Sequence, residues 1–157
     1  MGIFTTYKYS LSLPKRKSVL ALNKTKQKDF FLYILFLLLL FLIPNGIRLL
    51  QEFINEDSRG AAVMAVLFLY PFMSIFAGLA GISAIAGLGV LINDIAKRHV
   101  RYMLLWRMAV FAMTIPLTVF TLLDLLGLSH WVVTVLLFGY FFFIYTKMIL
   151  GYPRKRT

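Results

Sequence analysis

Four long runs of apolar residues, separated by short polar or basic connections, constrain this chain more than any other feature of its sequence. A transmembrane helix needs roughly 20 mostly apolar residues, each adding about 1.5 Å along its axis. Residues 30–50, 61–92, 102–126 and 131–150 meet that length, and they predict an all-α, polytopic four-span transmembrane helix bundle. A short basic arm (1–29) precedes this membrane domain (30–150), and a basic tail (151–157) follows it. The composition agrees: 61% of residues are hydrophobic and 15% charged, where a soluble domain carries about 25% charged. With no cysteine, disulfides, thiolate metal sites and thiol redox chemistry are excluded. The first run lacks a small-residue cleavage site and three further spans follow it, so it reads as an uncleaved span rather than a signal peptide.

Lysine and arginine placement predicts the orientation. Lys8, Lys15, Arg16, Lys17, Lys24, Lys26 and Lys28 precede the first span; Lys97, Arg98, Arg101 and Arg107 surround the second connection; Lys147, Arg154, Lys155 and Arg156 close the chain. The opposite side holds Arg48 and Arg59, beside Glu52, Glu56 and Asp57. Both termini are therefore expected on the cytoplasmic side of a membrane, taken as a bacterial cytoplasmic membrane. The net charge of +11 gathers on that side, where each basic residue near anionic lipid contributes about 1 kcal/mol. Topology and lipid contact account for this charge better than nucleic-acid binding does.

Within the arm, Tyr7, Tyr9, Leu11 and Leu13 alternate with Thr6, Lys8, Ser10 and Ser12, a period of two that predicts a short strand ended by Pro14. A lone strand needs a partner: residues 18–23, another subunit, or a cytoplasmic protein. Lys15, Arg16, Lys17, Lys24, Lys26 and Lys28 are the candidate lipid or partner contacts. Pro44-Asn45-Gly46 is expected to kink or end the first span, with Ile47, Leu50, Phe53 and Ile54 forming an amphipathic helix beyond it.

As one helix, residues 61–92 would measure about 48 Å, against a hydrocarbon core of about 30 Å. This span must tilt, kink at Pro71 or project from the bilayer. Ser74, Ala77, Gly78 and Gly81 form one small-residue face, and Ala80, Ser83 and Gly87 a second. Small residues let helix backbones approach closely in lipid, so these positions are candidate helix-packing or oligomer contacts. The third span carries a polar stripe of Arg107, Thr114, Thr118 and Thr121 around Pro116, either relieving the carbonyl freed at Ala112 or forming a water-filled path or a polar seam between subunits. Asp94 is the candidate ion-pair partner of Arg107. Asp124 and His130 flank the last connection, with no third group to complete a metal site.

No nucleophile–base pair, carboxylate pair or phosphate loop is present, so no catalytic residue, metal or cofactor is expected. Acids lie at the span ends rather than within them, which disfavours proton-coupled transport. The function expected is a non-catalytic membrane subunit that forms a homo-oligomer and anchors or signals to a cytoplasmic or membrane partner. Colicin-immunity proteins, entry-exclusion proteins and membrane subunits of two-gene phage-defence systems are similar in general architecture. The alternative is a small oligomeric channel or transporter lined by the third span.

Overall fold

The computed structural model describes residues 2–54, 59–98, 100–128 and 130–152. Seven α-helices follow in order: α1 (Ile3–Leu11), α2 (Arg16–Asn23), α3 (Gln27–Ile54), α4 (Arg59–Met64), α5 (Tyr70–Ile95), α6 (Tyr102–Leu125) and α7 (Trp131–Leu150). A π-helical segment, Ala65–Leu69, joins α4 to α5. Four stretches are long and apolar enough to cross a membrane: Gln27–Gln51, Val66–Ile95, Tyr102–Leu125 and Trp131–Leu150. The molecule is an integral membrane helix bundle.

Side-chain pairs fix how the spans run. Phe30 meets Phe111, Tyr33 meets Thr114 and Arg48 meets Asp124, so α3 and α6 are parallel. Trp106 reaches Ser83 while the Val100 amide meets Asn93, and Tyr145 reaches the Leu105 carbonyl from a helix that starts only six residues after α6 ends, so α5 and α7 both oppose α6. The up-down-up-down order creates a basic end and an opposite end marked by Arg48 and Asp124. The core gathers around α6, where Leu105, Met108, Ala109, Val110, Phe111 and Ala112 are all buried.

Two connections are closed by backbone geometry. After α6, Gly127 takes φ 68°; the Leu128 amide then reaches the Leu123 carbonyl at 2.9 Å and the Gly127 amide that of Asp124 at 3.0 Å. This is a Schellman cap, whose left-handed residue is easiest for glycine. After α5 the same cap is built on Lys97, at φ 50°, and the Asn93 carboxamide accepts from the Val100 amide at 3.1 Å to pin the turn.

One sequence expectation is corrected, and two concerning prolines are narrowed. The arm is not a strand: α1 and α2 are helices, and no strand occurs among the described residues. The inward face of α1 consists of Thr6 and Ser10, both fully buried, with Ile3 and Tyr7 beside them. Of the alternating set, Tyr7 and Leu13 do pack inward while Tyr9 and Leu11 are exposed; the alternation missed Thr6 and Ser10, four apart, which complete the buried face. Second, of the kink or end expected at Pro44, the end does not occur: α3 runs on to Ile54 and the Asn45 side-chain amide donates to the Phe41 carbonyl at 2.8 Å. Third, the second span, expected to tilt, kink at Pro71 or project from the bilayer, runs as one helical stretch from Val66 to Ile95 through Pro71. The helix widens to π geometry immediately before it, which accommodates a residue that clashes with the carbonyl four positions back. The acidic Glu56 and Asp57 and the basic Arg154, Lys155 and Arg156 lie outside the described residues.

Candidate functional site

The polar stripe of α6 is occupied by the chain itself. Thr114 is fully buried and shares a 2.7 Å hydrogen bond with the hydroxyl of Tyr33 on α3. The Thr118 hydroxyl donates to the Thr114 carbonyl at 2.7 Å, which leaves its oxygen to accept from the Tyr7 hydroxyl on α1 at 3.2 Å. Pro116 therefore does not draw a threonine to the Ala112 carbonyl; the hydroxyl goes to Thr114. Thr118 stands about 24 Å along α6 from Tyr102, so α1 reaches well up the bundle, where Tyr7 also packs edge-on against Phe36 at 5.8 Å. Thr121 is buried and its hydroxyl has no hydrogen-bond partner.

Arg107 belongs to the same seam but does a different job. Its guanidinium lies 5.1 Å from the centre of the Phe30 ring and donates to the Thr25 carbonyl at 3.3 Å. It bolts the α2–α3 corner to α6. The expected link to Asp94 is not formed: Asp94 is exposed on α5, while Arg107 turns toward α3. At the opposite end, Arg48 contacts Asp124 at 3.0 Å. His130 caps α7 through its backbone without a side-chain hydrogen bond.

The small residues of α5 divide into three groups. Ser74, Ala77 and Gly78 line a chamber of about 310 Å³ between α3, α5 and α6. Ser83 is engaged within the chain: its hydroxyl donates to the Leu79 carbonyl at 2.8 Å and accepts from the Trp106 indole at 3.3 Å. Ala80, Gly81 and Gly87 are exposed, and nothing stands within 4 Å of a Cβ placed on Gly81 or Gly87.

One closely packed glycine escaped the sequence reading. Gly89 is buried, and a Cβ there would overlap the phenol of Tyr145, itself buried on α7. The signal was present as Gly87-Leu88-Gly89, but spacing alone does not say which of the two glycines faces a neighbour.

The basic end has a built surface. Ser18, Val19 and Leu22 of α2 are buried, which leaves Lys15, Lys17, Lys24, Lys26 and Lys28 exposed, together with Lys97, Arg101 and Lys147. Arg98 donates to the Tyr152 carbonyl and ties the α5–α6 turn to the end of α7. Burial there pushes the Tyr152 phenol above its ordinary pKa. Among the described residues no three His, Asp or Glu side chains come together.

A family model described as "Protein of unknown function (DUF1189)" matches residues 60–150. No curated protein and no solved structure matches the chain.

Proposed function

The chain belongs to the DUF1189 family, whose function is unknown, and from that premise we propose that it is a non-catalytic membrane subunit working by assembly. In this reading copies associate through the open face of α5. The basic end faces the cytoplasm of a bacterial cell and meets anionic lipid, an acidic partner, or both. A setting in bacterial immunity, exclusion or phage defence forms part of the proposal and rests on general architecture.

The observation that carries it is the accessibility of α5. This span is the least covered of the four, whereas α6 is the most covered. Its exposed surface offers Gly81 and, about 120° further round the helix, Gly87, two places where a second helix finds bare backbone. Close backbone approach is what drives helix association in lipid, since water contributes no hydrophobic force there. A pore lined by α6 has less support, because Thr114 and Thr118 are bonded to Tyr33 and Tyr7 within the protomer.

Native mass measurement in mild detergent tests the proposal. We expect a dimer or larger assembly for the unaltered chain, and monomers for Gly81→Leu and Gly87→Leu with helicity retained. A monomeric unaltered chain overturns self-association.

A further inference from the structure

The chamber beside Gly78 does not stand alone. Its walls include Leu38 and Phe41 from α3, Ile75 from α5, and Val110 and Met113 from α6, an almost wholly apolar lining. Toward the end of the bundle opposite the lysines lies a second cavity of about 540 Å³, lined by Asn45, Arg48, Tyr70, Ser74 and Asp124. Phe41 and Ser74 belong to both, so the polar vestibule and the apolar chamber meet at those side chains. An apolar recess of this volume with a few converging polar groups at one end has the usual character of a small-molecule site.

The charge pattern narrows the occupant. Among the described residues lining the vestibule are one cation, Arg48, and one anion, Asp124, held 3.0 Å apart on different helices. The Arg48 side chain keeps 60% of its surface open and Asp124 keeps 12%. A guanidinium suits a phosphate, which it grips through planar N–H donors. A carboxylate suits an ammonium. A purely anionic headgroup satisfies the first group and is repelled by the second.

We propose that this crevice between α3, α5 and α6 binds a zwitterionic phospholipid of the phosphatidylethanolamine type. One acyl chain lies in the chamber, the phosphate meets Arg48 and the ammonium meets Asp124. The site requires only that the bundle sits in a bilayer, so it stands or falls independently of self-association through Gly81 and Gly87.

The test uses the full chain purified in mild detergent, equilibrated with equimolar phosphatidylethanolamine and phosphatidylglycerol, and read by native mass spectrometry. The expected result is preferential retention of phosphatidylethanolamine. Leu38→Trp fills the chamber from α3, outside the α5 face, and lowers retention about tenfold while the melting temperature holds. Should that variant fail to fold, Gly78→Phe fills the same space from α5; a Cβ there has Leu38 as its neighbour at 3.9 Å. Asp124→Asn keeps the shape and removes the ammonium's counter-charge, reducing the preference for phosphatidylethanolamine about tenfold, the effect of one lost charge-assisted hydrogen bond. Equal retention of the two lipids overturns the proposal, as does retention that a folded chamber-filling variant leaves unchanged.

Discussion

At single residues, the structure assigns opposite consequences to one and the same substitution. Thr114→Val removes the 2.7 Å hydrogen bond made by a fully buried Tyr33 hydroxyl, and losing it costs about 1 kcal/mol. Thr121→Val removes a buried hydroxyl that has no partner, so stability is expected to stay level or rise. Thermal unfolding of both variants in one detergent provides the comparison, and equal losses would contradict the hydrogen-bond assignment. Glycines divide in the same way. Gly89→Ala drives a methyl into Tyr145 and should cost about 1–3 kcal/mol by overpacking. Gly139→Ala enters open space and should be neutral or slightly stabilising. The sequence marks all four positions as small or hydroxylated but carries no information about what stands across from them.

At the scale of elements, the α1–α2 hairpin departs furthest from its sequence signature. Hydropathy finds a span because lipid demands a long apolar surface, and no such demand acts on a helix that fills a seam between other helices. The buried residues of α1 are Thr6 and Ser10, chosen for size and not for oiliness. In α2, Leu22 is fully buried while Leu20 is about half exposed, although the two are chemically identical. Leu22→Ala is therefore expected to cost about 2–5 kcal/mol, and Leu20→Ala to fall within about 0.5 kcal/mol of the parent. Denaturation of the two variants decides whether the hairpin is part of the folded bundle; matching midpoints would detach it. Proline behaves similarly at Pro44 and Pro71. Its ring is legible as a local disturbance, yet α3 continues to Ile54 around one and a π segment precedes the other, because neighbouring helices hold the path.

For the whole molecule, charge and connectivity make a joint prediction. The basic end carries the exposed Lys15, Lys17, Lys24, Lys26 and Lys28, with Lys97 and Arg101 of the α5–α6 connection, and the opposite end carries Arg48 and Asp124. The chain has no cysteine, so single thiols report topology cleanly. Leu20→Cys should react with a membrane-impermeant maleimide only after cells are opened, and Leu128→Cys in intact cells. Reaction from the same side would refute the orientation. The hairpin also changes what this segment can offer a partner: Lys17 of α2 and the flanking Lys15 and Lys24 are presented from a packed surface, so binding there would use a pre-ordered patch instead of a loose segment.

Sequence alone determined that this protein is a four-span helix bundle with its charge concentrated at one end. Both properties come from solvent: hydrocarbon selects apolar length, and the membrane surface sorts basic residues, each acting on the chain one segment at a time. Tertiary structure decided the rest. Covering Thr114 with Tyr33, turning Arg107 onto Phe30, opposing Gly89 to Tyr145 and opening a chamber beside Gly78 all depend on which helix faces lie together. That choice arises from pairwise fit between surfaces that are almost equally apolar, and hydropathy is blind to the difference.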